Sequence, residues 1–308
     1  MAAGATEARL SGKRSGSQTA LAFESGVTMS EGSSPRSYLF VPADRIDRVP
    51  KALSTAADVV VIDLEDAVAP DNKDSARNAL MSAGIDADRV IVRINGIGTR
   101  WIAEDIIAVR SVGARDVMLP KAESGPAIAT LAKELGQSIA ITALVETALG
   151  VWNALEVAMT PPVTRLAFGS IDFVNDVEAG ADAAATLYAR SRLVLASRIA
   201  GLDAPVDGVT AAVHDDDTLT TEACFARQLG FGGKLCIHPS QITTVNRTFS
   251  PSAAEQEWAR SVLLAAACSA GSAVAVDGQM VDLPVIKRAE RILRLSALRT
   301  TRNSDVKE

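Results

Sequence analysis

VVVIDLEDAV, residues 59–68, opens with four β-branched apolar residues and then sets Asp63, Glu65 and Asp66 within four positions. A continuous apolar run of this length is the pattern of a strand covered on both faces, as in a parallel sheet wrapped by helices. Carboxylates carried into such a core cost several kcal/mol each unless paired, so acids at this strand end call for partners.

The same rhythm recurs along the chain. Short apolar runs occupy residues 37–41, 58–63, 89–94, 116–120, 139–146, 165–170 and 233–239, with a weaker one at 205–209. Segments of helical composition lie between them; KDSARNALMSAG (73–84) closes on a glycine placed as a helix C-cap. Strand and helix alternating about eight times predicts an α/β fold, a (β/α)8 TIM barrel with a C-terminal helical extension. The doubly wound open sheet is the competing fold, and no Gly-x-Gly-x-x-Gly follows the first strand to support it. Residues 1–34, rich in Ser, Gly and Ala without period, are expected to be a flexible extension. Residues 35–249 are expected to form the catalytic barrel, and 250–308 a helical lid too small for an independent core. There, AAEQEWARSVLLAAACSA and IKRAERILRLSALR read as helices joined by the linker AVAVDGQMVDLP.

Composition excludes several classes. The 308 residues are 48% hydrophobic and 22% charged, enough for a substantial core, and the formal charge of -6 is dispersed. No basic stripe interleaved with aromatics offers a nucleic-acid surface, and no apolar run reaches the length of a membrane span. Three cysteines without metal spacing, and no signal-peptide pattern, fit a cytoplasmic location.

In a barrel of this kind the chemistry collects where strands end. The strand exits carry Asp63, Glu65, Asp66, Arg93, Asn95, Lys121, Glu146, Asp172, Asp207 and His238, which are expected to converge on one mouth. Glu146 and Asp172, on successive strands, could hold a hard cation such as Mg2+; alternatively Asp172 is a helix cap and Glu146 a paired surface acid. With only two histidines in the chain, a zinc site of the usual composition is hard to assemble. Arg93 sits in VIVRIN, where a strand wants apolar side chains, and its planar fork suits a carboxylate. That carboxylate is Glu65 or Asp66, a substrate's, or both, the acids then orienting cation and arginine.

Eight motifs, RSYLFVPADR, VVVIDLEDAVAPDNKDSAR, VRIN, LPKAES, LVETALGVWNALEVA, LAFGSIDF, GFGGKLCIHPSQI and GQMVDLPVIKRAERIL, together resemble the citrate lyase beta subunit-like group of the HpcH/HpaI aldolase superfamily. The resemblance runs from about Arg36 to Leu295 and covers nearly all but the N-terminal extension. It implies a (β/α)8 barrel, trimeric or a dimer of trimers, that uses Mg2+ to act on short hydroxyacyl-CoA thioesters of the citramalyl-CoA or malyl-CoA type. Lyase, thioesterase and citrate lyase subunit acting on an acyl carrier protein are the activities it leaves open. Carried over by motif, Arg93 binds the substrate carboxylate, Glu146 and Asp172 ligate the metal, and Asp282 of MVDLP is an acid or base, in many relatives delivered to a neighbouring subunit. By itself Asp282, before Leu283 and Pro284, reads as a helix N-cap. Glu65 and Asp66 join the catalytic set. Arg45 is a contact for the CoA phosphates or thioester region, or else an exposed cation on a helix's first turn. Ala43 and Gly96 replace the family's usual glycine and proline beside the expected acyl-CoA site.

Overall fold

The computed structural model describes residues 34–84, 87–136, 139–180, 182–268, 274–276 and 279–305. The expected N-terminal extension lies, except for residue 34, outside the described residues. Eight parallel strands close into a barrel in sequence order, β1 pairing with both β2 and β8. They are β1 (Ser37–Pro42), β2 (Val59–Asp63), β3 (Val90–Arg93), β4 (Asp116–Leu119), β5 (Ala140–Val145), β6 (Val163–Phe168), β7 (Val206–Asp207) and β8 (Gly233–Cys236). The helices between and after them are α1 (Val49–Leu53), α2 (Lys73–Ser82), α3 (Ile102–Ser111), α4 (Gly125–Leu135), α5 (Ala148–Trp152), α6 (Ala154–Ala158), α7 (Ser170–Asp176), α8 (Ala183–Ile199), α9 (Asp216–Leu229) and α10 (Ile242–Thr248).

Alternation along the strands divides the core in two. Tyr38, Val61, Ile91, Met118, Leu144, Ala167 and Leu235 fill the barrel, while Leu39, Val60, Ile62, Val92, Leu119, Ala143 and Leu166 face the helices. Both faces being buried, the strands read as unbroken apolar runs, and each fully buried side chain contributes about 1.5–3 kcal/mol. Asp63 and Arg93 are in phase with the inner set and pair across β2 and β3. Both therefore point inward at the mouth. Asp207 is out of phase: it follows inward Val206 and turns to the helix layer, where it meets Arg190 of α8 and buried Lys234 at 2.8 and 3.0 Å. The expectation that Asp207 joins the mouth is corrected by this strand parity.

After the barrel come α11 (Ala253–Cys268), an antiparallel hairpin of β9 (Val274–Val276) and β10 (Gln279–Val281), and α12 (Leu283–Asp305). The linker expected between the two helices thus contains strands. The Asp277-Gly278 pair between them is a hairpin signal. Helices α11 and α12 share a small cluster of Ala259, Val262, Ala289 and Ile292, and the Arg227–Glu255 ion pair at 2.8 Å links α9 to α11.

Candidate active site

Arg93 organises the barrel mouth. Asp63 accepts from its Nε at 2.7 Å and its Nη2 at 2.5 Å, Glu65 lies 3.1 Å from Nη1, and the guanidinium stacks 4.8 Å from the Phe40 ring. Burial alone would lower the pKa of this arginine, but Asp63 and Glu65 more than offset it and the pKa is raised. Asp63, a residue to which sequence gave no specific role, is the main partner; its oxygens also accept from the backbone N–H groups of Glu65 and Ala67. Asp66 is exposed and lines the mouth cavity. The first part of the opening puzzle is resolved by geometry, since the acid at the end of β2 neutralises the arginine at the end of β3.

A second layer fixes this loop. Buried Lys73 donates to the carbonyls of Leu64 and Glu65 and to Asn95 Oδ1 at 2.7–2.8 Å, and Asn95 donates to Asp105, which also accepts from Arg77. Asn95, expected at the mouth, is structural. So is His238: its Nδ1 lies 2.7 Å from Ser240 Oγ at the start of a short turn, and its ring meets His214 edge-on.

Glu146, 2% exposed, leaves the end of β5 and accepts from the Lys121 backbone N–H at 2.9 Å. A Cβ on Gly169 would overlap the Glu146 side chain, so glycine at the exit of β6 makes the space this carboxylate occupies. Burial, then the charges of Glu65 and Asp172, push the Glu146 carboxyl up to about 8. Burial likewise raises Glu65, against the pull of Arg93 and Lys121. Asp172 stands in the first turn of α7. Arg93, Glu146, Asp172 and Asp66 line one cavity of about 240 Å³ with Phe40 and Ile171. A larger groove of about 770 Å³ runs along α2 and α3, but there Arg77 is already matched by Asp74 and Asp105. The chemistry belongs to the smaller cavity, where carboxylates and a held arginine converge.

Three residues expected at the site do not line that cavity: Glu65, buried beside Arg93 and Lys121, together with Arg45 and Asp282. Arg45 is exposed and pairs with Asp47 at 3.2 Å. Asp282 is exposed and caps α12, accepting from the Val285 N–H at 3.1 Å. Ala43, where glycine is usual in the family, is fully buried. Lys121, expected at the mouth but given no role there, has φ 49° and reaches Glu65 at 3.1 Å.

Among the described residues no three His, Cys, Asp or Glu side chains form a metal-binding group. Glu146 and Asp172 nonetheless give two oxygen-only donors facing one cavity, a set that suits a hard cation completing its shell with water or substrate.

An eight-stranded parallel barrel with acids and a held arginine gathered at its mouth has the architecture of an enzyme. The chain belongs to the HpcH/HpaI aldolase/citrate lyase family, whose family model matches residues 36–239. It is 40% identical over 264 residues to a citrate lyase subunit beta-like protein of Mycobacterium tuberculosis, covering 83% of this chain and 94% of that one. It is 36% identical over 273 residues to a (3S)-malyl-CoA thioesterase of Cereibacter sphaeroides, covering 85% and 95%. The crystal structure of CitE from Mycobacterium tuberculosis with magnesium, acetoacetate and coenzyme A superposes with a TM-score of 0.78 at 38% identity, covering 87% of this chain and 100% of that one.

Proposed function

We propose that the protein is a Mg2+-dependent lyase that cleaves a short 3-hydroxyacyl-CoA carrying a carboxylate, of citramalyl-CoA or malyl-CoA type, to an α-keto acid and acetyl-CoA. The observation that carries this reading is the single cavity shared by Arg93, Glu146 and Asp172. Glu146 and Asp172 would hold Mg2+, which would supply Lewis-acid polarisation to the substrate. Arg93 has five N–H donors and Asp63 takes two, which leaves donors toward the cavity for the substrate carboxylate. Asp63 and Glu65 keep that fork from swinging, so the scissile bond is held in register. Asp66 lines the same wall, and Glu65 beneath it orients arginine and lysine.

The substrate hydroxyl gives up its proton to a base at the mouth, and its oxygen forms the keto acid's carbonyl as the carbon–carbon bond breaks. The electron pair of that bond passes to the acetyl-CoA carbon as an enolate, and Asp282 delivers the proton that quenches it. Residues 35–249 act as the catalytic barrel and 250–308 as a lid carrying Asp282 to the mouth of another copy. Association of copies is supported by an apolar face: Leu149 and Trp152 of α5, Ile171 of α7, and Tyr188, Leu195 and Ile199 of α8 are each 51–71% exposed. Arg45 is the contact for the CoA end of the substrate.

The thioesterase among the relatives favours a second reading, in which water replaces the keto acid and free CoA leaves beside an intact hydroxy acid. Citramalyl-CoA and malyl-CoA differ by one methyl at the reacting carbon, which an apolar pocket discriminates by only about 1–3 kcal/mol. The test is incubation with Mg2+ and malyl-, methylmalyl-, citramalyl- and citryl-CoA, with products identified by mass. Keto acid plus acetyl-CoA establishes the lyase, and hydroxy acid plus CoA the thioesterase. Glu146→Gln is expected to abolish turnover with the fold intact; full activity in that variant would refute the metal assignment. A subunit of a larger citrate lyase assembly would instead be inactive on every free CoA thioester.

A further inference from the structure

Lys121 contacts both Glu65 and Glu146 at the mouth. Its backbone N–H donates to Glu146 Oε1 at 2.9 Å, its ammonium lies 3.1 Å from Glu65 Oε1, and the same ammonium is 4.0 Å from Glu146 Oε1. Its φ of 49° places a non-glycine residue in the left-handed region, a conformation that surrounding contacts must hold. Here those contacts are the two carboxylates. The other oxygen of Glu65 lies 3.1 Å from Arg93 without a hydrogen bond, and the Lys121 ammonium is the cation that reaches across from Glu65 toward Glu146. With the side chain 49% exposed, it can turn into solvent without breaking the backbone contact to Glu146.

We propose that Lys121 is a positioning residue that sets the affinity of the mouth for its divalent cation: its N–H fixes the Glu146 carboxylate, while its ammonium competes with the cation for the field of Glu65 and Glu146. The inference rests on the magnesium site proposed above and concerns how tightly that site holds its ion. Charge and backbone can be separated by substitution. Methionine or glutamine at 121 keeps the N–H and is an unbranched L-residue at the same φ, so either removes the ammonium alone.

The experiment titrates MgCl2 calorimetrically into the purified full chain at fixed pH and ionic strength, for wild type, Lys121→Met, Lys121→Gln, Lys121→Arg and Glu146→Gln. Removing one charge about 4 Å from a ligand oxygen in a solvent-screened mouth is expected to tighten magnesium about tenfold in the Met and Gln variants. Lys121→Arg should stay near wild type, and the metal-free Met variant should melt lower than wild type yet gain more from magnesium. A merely structural lysine would loosen magnesium or leave it unchanged. If Glu146→Gln loses magnesium but both Lys121 variants bind within twofold of wild type or more weakly, the Lys121 inference falls and the metal site stands. If Glu146→Gln binds magnesium as wild type does, the metal site falls first, and the two failures are distinct.

Discussion

Asp63 is 0% exposed on the inner wall of the barrel, a burial that is tolerable because Arg93 donates to both of its oxygens. Substituting Asp63→Asn keeps the shape and leaves the arginine without its main counter-ion. Breaking a buried pair from one side costs about 3–5 kcal/mol, so urea unfolding should show a loss of that order, with kcat/KM falling as the fork loosens. A midpoint equal to wild type would mean that Glu65 alone suffices. Gly169 makes a second test at the same scale. Its missing Cβ is the space Glu146 occupies, so Gly169→Ala should weaken magnesium binding at least about tenfold through a displaced ligand. Calorimetry reads this directly, and unchanged affinity would remove the steric account of that glycine.

At the scale of elements, the floor of the barrel titrates differently from its mouth. Asp116 opens β4 facing inward, near Arg165 of β6 and Thr142 of β5; the residue as a whole is half-buried, but its Oδ1 is sealed without a hydrogen-bond partner. Burial pushes its carboxyl up to about 7, Thr142 and Arg165 opposing. Since the unfolded carboxyl ionises near 3.9, the folded chain binds the extra proton between about pH 4 and pH 7, and stability falls as pH rises through that window by at most about 4 kcal/mol. Asp116→Asn should flatten this slope in thermal melts from pH 4 to 8; an unaltered slope would show the carboxyl ionised throughout. Such inward acids were legible only in part. The apolar runs announced all eight strands, but continuous runs carry no alternation, and only the folded register shows Asp63 and Arg93 on the inner face with Val61 and Ile91. Yet β7 is two residues long, too short for its parity to be read, and Asp207 was assigned to the mouth although it faces α8. The β9–β10 hairpin hid inside a segment read as linker. The left-handed backbone of Lys121 has no sequence signature, because that conformation is normally announced by glycine or asparagine.

The whole molecule leaves two things unmatched. Exposed apolar side chains stand on α5, α7 and α8, helices joined by Asp176 accepting from the Ala148 N–H and by Arg192 donating to the Trp152 carbonyl. Ile171, one of these side chains, also lines the mouth cavity. Asp282 meanwhile is flanked by Met280 and Leu283, 65% and 61% exposed, and stays outside the cavity of its own chain. One arrangement satisfies both, in which the hairpin and α12 of one copy cover the apolar face and the mouth of the next. Trp152→Glu with Tyr188→Glu should then reduce the assembly to monomers by light scattering, and should reduce activity as well although neither residue touches the cavity. Shared sites also make a sharper demand. Glu146→Gln and Asp282→Asn chains, each inactive alone, should regain about a quarter of wild-type turnover when co-refolded in equal amounts, because random closed assembly pairs an intact Glu146 with an intact Asp282 at that frequency. If Asp282 acted within its own chain, every site in the mixture would carry one lesion, and the co-refolded sample would stay as inactive as its parents.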